Sequence, residues 1–183
     1  MKIVVAATGA SGALYTQRLL DNLTGQEIHY IVTGHAREVQ ELELLGGLKL
    51  PADVIRYEEN GSMFVPFVSG STKFDAMVII PASMGTVGRI ATGVSDSTVA
   101  RAADVFLKER RQLILVPREA PYNLIHLRNM VTLTEAGATI IPASPSFYSQ
   151  PATITSLVDT IIARVLDHLG LENQLIKRWQ STD

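Results

Sequence analysis

Four short runs of β-branched and aliphatic residues, at 3–7, 28–32, 76–80 and 113–116, recur along the chain with helix-period stretches between them. Each run is apolar throughout rather than alternating, the pattern of a strand covered on both faces. Between them, residues 12–23 place Leu14, Leu19, Leu20 and Leu23 on one side, residues 36–45 do the same with Val39, Leu42 and Leu45, and residues 97–110 form a long Ala-rich segment. Strand therefore follows helix in turn, which requires crossover connections and a mostly parallel sheet. A last strand is expected at 139–141, and a terminal amphipathic helix at 153–169, stopped by Gly170. The prediction is an α/β chain with a Rossmann-like (flavodoxin-like) three-layer fold, helices on both faces of the sheet, and one domain over residues 1–183. Residues 46–73, with Pro51, Gly61, Pro66 and Gly70, read as a loop-rich insertion carrying one weak strand at 63–68.

Composition narrows the function. With 46% hydrophobic and 19% charged residues, the chain has material for a core and is not disordered. Sixteen Lys and Arg against 18 Asp and Glu leave a net charge of −2, without the bulk footprint of a nucleic-acid binder. The absence of cysteine excludes disulfides, thiolate catalysis and Cys-ligated metals, and His29, His35, His126 and His168 lack ligand spacing, so no metal is expected. The longest apolar runs are about five residues, against the ~20 that a membrane helix needs. The expected setting is cytoplasmic, with no membrane partner. Few charges and a mean hydropathy of +0.19 hint that other subunits cover some apolar surface.

In a parallel sheet, ligands gather at the carboxyl ends of the strands. The first strand is followed by Thr8-Gly9-Ala10-Ser11-Gly12-Ala13, a glycine-containing turn into a helix. Its unpaired N–H groups and the Ser11 hydroxyl suit a phosphate, and a plain tight turn capped by Ser11 fits the same residues. A nicotinamide dehydrogenase would place an acid after the second strand, where Thr33-Gly34-His35 stands, and no Tyr is followed four residues on by Lys. No Gly-Lys-Ser/Thr occurs either, so a flavin mononucleotide fits better. A second loop of the same kind, Pro81-Ala82-Ser83-Met84-Gly85-Thr86, follows the run at 76–80, and Thr33 adds a hydroxyl at the same rim. Arg101 and Lys108 are two helical turns apart and share a face, Arg118 and Glu119 follow the run at 113–116, and a proline-rich loop presents Phe147 and Tyr148. Arg164 lies on the last helix, and Trp179 reads as an apolar anchor for the tail or a cover over a neighbouring subunit's site.

Taken together, GASGA at 9–13, SGS at 69–71, PASMGT at 81–86, RAADVFLKERR at 101–111, LVPREAP at 115–121 and PSFYSQP at 145–151 resemble the UbiX-type flavin prenyltransferases. These sit within the wider superfamily of homo-oligomeric flavin-containing Cys decarboxylases. The resemblance covers essentially the whole chain. It implies transfer of a dimethylallyl group from dimethylallyl phosphate to N5 and C6 of reduced FMN. The product, prenylated FMN, would serve a UbiD-type decarboxylase, as in ubiquinone biosynthesis. It further implies FMN contacts from Gly9, Ala10, Ser11, Thr33, Ser83, Met84, Gly85, Thr86 and Arg118. Tyr148, Arg164, Arg101 and Lys108 would hold the prenyl phosphate, and Glu119, Glu43, Arg118 and Lys108 would serve catalysis. The implied assembly is a dodecamer with its sites at subunit junctions. The family commonly has Cys where Ala82 stands, and little loss of activity is expected from that change. The alternative is a flavin-dependent decarboxylase of a cysteine-derived carboxylate. Those relatives continue the Pro-Ala-Ser loop with Asn-Thr and use an early His, for which His35 is the one candidate.

Overall fold

The computed structural model describes residues 1–179. Six parallel strands form one sheet in the order β3-β2-β1-β4-β5-β6, with β1 Lys2–Ala7, β2 Glu27–Val32, β3 Ile55–Glu58, β4 Ala76–Ala82, β5 Gln112–Pro117 and β6 Thr139–Ile140. The three-layer Rossmann-like architecture expected from the alternating runs is the one observed. Both faces of β1 are sealed: Ile3, Val5 and Ala7 face one apolar layer and Val4 and Ala6 the other, all at 0% exposure. That is why its sequence shows no polar alternation.

The first layer holds α1 (Ala13–Asp21), the long α6 (Ile154–His168) and Ala36 of α2 (Gly34–Glu43). The second holds α3 (Met84–Ala91), α4 (Thr98–Lys108) and α5 (Leu124–Glu135). Helix starts follow local chemistry. Ser97 and Thr153 accept the N–H of Ala100 and Ser156, and Thr33 and Ser83 accept those of Ala36 and Thr86. Gly170, with φ +73°, ends the α6 region as expected. Among the described residues, no helix is long and apolar enough to cross a membrane.

Two expectations are corrected. The weak strand at 63–68 is instead a 3-10 turn, Pro66–Val68, with Pro66 at its start and Phe67 and Val68 buried beneath α4. The strand in that interval is β3, eight residues earlier. Its Tyr57 donates or accepts at His29 Nδ1 (2.9 Å) and meets Phe67 edge-on, so long-range aromatic packing holds it to β2. The stripe of Val39, Leu42 and Leu45 does not face the core: α2 ends at Glu43, and Leu42 and Leu45 are 87% and 102% exposed.

Candidate active site

Strand order reverses between β1 and β4, because β1 is followed in sequence by β2 on one side and paired with β4 on the other. A crevice opens at such a point outside the strands' carboxyl ends. Here it is a cavity of about 700 Å³, within the range of sites that hold small cofactors. Its walls come from the three turns that follow β1, β2 and β4: Thr8 and Gly9, Thr33 and His35, Ser83 and Thr86.

These turns are locked to one another. Thr8, 1% exposed, donates to the Pro81 carbonyl (2.9 Å) and accepts the Ser83 N–H (2.7 Å), while Ser83 and Thr86 share a hydroxyl–hydroxyl bond of 3.0 Å. Gly9 is required for its closeness, since a Cβ there would stand 2.7 Å from the His35 Cβ. Gly9, Thr33, Ser83 and Thr86 thus reach the cavity, and Gly85 sits beside them in the first turn of α3. Ala10 is buried in the turn, and Met84 packs into the second core layer rather than facing the cavity.

The Gly9–Gly12 turn departs from the expected phosphate cradle. Gly12, at φ +115°, occupies the N-cap of α1 and no side chain of the turn caps the helix. Instead one oxygen of Glu43 accepts the N–H groups of Gly12 (2.8 Å) and Ala13 (2.7 Å), filling the place a phosphate would take, with Ser11 bonded to the same carboxylate. Burial pushes the Glu43 carboxyl up. The hydrogen bonds from Ser11, Ala13 and Gly12 and the charge of Arg118 outweigh it and hold the group below the usual carboxylate range. A depressed folded value means that this carboxylate stabilises the fold above its unfolded pKa and ceases to do so as pH falls through the folded one. Glu43→Ala is therefore expected to cost about 1 kcal/mol at neutral pH, as for other caps. Its stability deficit should fade toward zero below about pH 4. Urea unfolding of both proteins across pH checks this, and a pH-independent gap would show that the capping charge is not the cause.

Arg118 completes this corner. Its Nε donates to the Ser11 carbonyl at 3.1 Å and its own N–H donates to the Ala82 carbonyl, so β5 ends against both ligand turns. Ala82, fully buried, contributes a carbonyl here and its side chain only fills the core. Glu119 accepts from the Ala120 N–H (3.0 Å). Tyr122 feels it: burial and the Glu119 charge both raise that phenol.

The remaining cations lie elsewhere on this chain. Arg101 pairs with Asp104 (2.8 Å) and does not line the cavity. Lys108 pairs with Glu109 at the end of α4, beside Gly70 and close before β5 begins, so it stands at the amino edge of the sheet, opposite the cavity. Tyr148 meets Trp179 edge-on at 5.5 Å, and Arg164 bonds Asp167, which Arg178 grips through both carboxylate oxygens (2.6 and 2.7 Å). On this chain the Trp179 ring touches Tyr148 and is otherwise 71% exposed. Five further residues with charge or hydroxyl chemistry line the cavity without having been singled out in the sequence: Glu38, Glu59, Arg89, Asp96 and Ser97. Ser97 was readable as the cap of the helix expected from 97, and that helix begins at the ligand rim.

The cavity suits a flavin by volume, by its hydroxyl-rich wall and by the close backbone approach at Gly9. The Flavoprotein family matches residues 1–166. The flavin prenyltransferase UbiX of Methanocaldococcus jannaschii is 43% identical over 181 residues, covering 98% of each chain. Among solved structures, a dodecameric FMN-dependent UbiX-like decarboxylase from Escherichia coli O157:H7 is 38% identical with a TM-score of 0.90, covering 99% of this chain and 100% of that one. AnUbiX (PadA1), solved with FMN and dimethylallyl pyrophosphate, is 37% identical with a TM-score of 0.91, covering 99% and 98%. With likeness of this extent in sequence and in fold, the chain belongs to the flavoproteins and, within them, to the UbiX flavin prenyltransferases.

Proposed function

We propose that this protein is a flavin prenyltransferase, which moves a dimethylallyl group from dimethylallyl phosphate onto N5 and C6 of reduced FMN and releases prenylated FMN. The observation that carries this reading is the cavity at the β1/β4 switch point, walled by hydroxyls from three ligand turns, in a chain of this family. Reduced flavin supplies the nucleophilic ring, and the protein supplies position, charge and proton movement.

Gly9, Thr33, Ser83 and Thr86 form the seat of the flavin, and Ala10, Ser11, Met84 and Gly85 shape it from within the same two turns. Cavity lining supports this for Gly9, Thr33, Ser83 and Thr86. Arg118 sits between the two turns and steadies the charge that develops as the prenyl phosphate departs, since a fixed cation favours a separating anion. Glu119, whose carboxylate accepts from the neighbouring Ala120 amide, takes the proton lost at C6 or passes one to the leaving phosphate. Glu43 holds the Gly9–Gly12 turn and faces Arg118 as its counter-charge.

Arg101, Lys108, Tyr148 and Arg164 serve the prenyl phosphate in this reading, and Lys108 stands at the sheet edge opposite its own chain's cavity. We therefore infer that these residues complete the site of a neighbouring copy in a homo-oligomer, a dodecamer as in the Escherichia coli relative. The exposed Leu42 and Leu45 support subunit contacts at the end of α2 and just beyond it. Residues 1–183 then act as one domain in the cytoplasm, and the product passes to a UbiD-type decarboxylase.

The test is an anaerobic incubation of purified protein with reduced FMN and dimethylallyl phosphate, followed by mass spectrometry of the extracted flavin. A flavin heavier by one prenyl unit is expected. Recovery of unmodified FMN alone would overturn the reading.

A further inference from the structure

We propose that Arg89 is the residue that holds the terminal phosphate of the flavin, and that Asp96 competes with that phosphate for it. This rests on the flavin reading above and adds to it the residue that tells FMN from riboflavin. An FMN phosphate is dianionic near neutral pH, and a partly enclosed cavity must answer that charge. Among the described residues lining the cavity, Arg89 is the one Arg or Lys. Arg118 is turned to the Ser11 carbonyl, Arg101 to Asp104, and Lys108 lies at the far sheet edge.

The local sequence aims Arg89 at this position. Gly85 and Arg89 are four apart on α3 and so share a face, and a Cβ at Gly85 would stand 3.4 Å from Arg89 Nη1. With no side chain at 85, the guanidinium lies against the first turn of the helix, and Ser83 and Thr86 of that turn line the same cavity. A guanidinium and two hydroxyl groups in one cavity wall offer a set of donors to a tetrahedral anion.

Carboxylates also face the cavity, and they decide how tightly the phosphate is held. Both oxygens of Glu59 are occupied at the start of α4, where they accept the N–H groups of Thr98 (3.1 Å) and Val99 (2.7 Å). Asp96 accepts from Arg89 Nε at 3.3 Å, with the two side chains 53% and 51% exposed. A pair this long and this open to water is worth little and exchanges readily for a better anion. Glu38 on α2 and His35 complete the charged or titratable groups of the rim.

The experiment measures dissociation constants of oxidised FMN and of riboflavin, by flavin fluorescence, for the wild-type protein, Arg89→Gln, Arg89→Lys and Asp96→Asn. Arg89→Gln should weaken FMN by about 10- to 100-fold, the worth of a charge-assisted bond pair, and leave riboflavin within about threefold. Arg89→Lys should recover part of the loss, because it keeps the charge without the fork. Asp96→Asn should tighten FMN and leave riboflavin unchanged. A wild-type preference for FMN that survives Arg89→Gln overturns the assignment of Arg89, as does equal weakening of both flavins. Failure of the wild-type protein to bind either flavin would instead overturn the flavin reading itself.

Discussion

Arg118→Ala is expected to lower the single-turnover rate of prenyl transfer by about 100- to 1,000-fold, the loss typical when one fixed donor to a developing charge is removed. The geometry makes this a clean substitution. The backbone N–H of Arg118 keeps its bond to the Ala82 carbonyl whatever the side chain, and the guanidinium contributes one further bond, to the Ser11 carbonyl. Folding should therefore survive while the charge is lost. Arg118→Lys should fall between the two, since an ammonium keeps the charge and loses the planar fork. A second readout separates electrostatics from shape. The Arg118 charge helps to hold Glu43 below the usual carboxylate range, so removing it should raise the pH at which the Glu43 contribution to stability is lost. Prenyl transfer at the wild-type rate in Arg118→Ala would remove Arg118 from the mechanism.

What the sequence made legible was whatever depended on neighbours a few residues away. β1, β2, β4 and β5 were visible because strands sealed on both faces leave continuous apolar runs. The starts of α4 and α6 were visible through Ser97 and Thr153, which cap within their own turn. β3 was not, because Tyr57 is held by His29 and Phe67, residues 28 and ten positions away, and its own four residues are mostly exposed. Helix α5 escaped for the opposite reason. Leu124, Ile125, Leu127 and Val131 are exposed on this chain, and Leu133 is its one fully buried side chain, so no core-facing period marks it. The same division runs through the site. Thr33 and Ser83 follow strands the sequence showed, whereas Glu59 follows β3, the strand it hid, and Arg89 and Asp96 reach the cavity from a second helical turn and an interhelix connection. Glu43 was found by resemblance, and its actual partners, the amides of Gly12 and Ala13, lie 30 residues back across the fold.

One ion pair joins the last helix to α1 beside their apolar contact, and breaking that pair is expected to lower stability markedly. Arg18 of α1 donates to Asp159 of α6 through Nε (2.8 Å) and Nη2 (3.0 Å), across 141 residues of sequence. Asp159 is 7% exposed, and its hydrogen bond to Arg18 is the main cause of that guanidinium's raised pKa. Asp159→Ala leaves the partly buried Arg18 with only its longer pair to Asp21 (3.4 Å), for which a cost of about 2 kcal/mol is expected, or roughly 4–8 °C in Tm for a chain of this length. Asp159→Asn keeps one acceptor oxygen and should cost less. The effect should reach function too, because the next residue, Thr160, accepts the Ser146 N–H (3.2 Å) and so ties α6 to the loop that carries Tyr148. Arg164 rides on the same helix. Loosening α6 should therefore raise KM for dimethylallyl phosphate in Asp159→Ala more than it changes affinity for FMN, whose seat is built on β1, β2 and β4. An unchanged Tm would show that apolar packing between α1 and α6 alone fixes the helix. A parallel rise for both ligands would place the damage in the whole fold rather than in the loop that α6 supports.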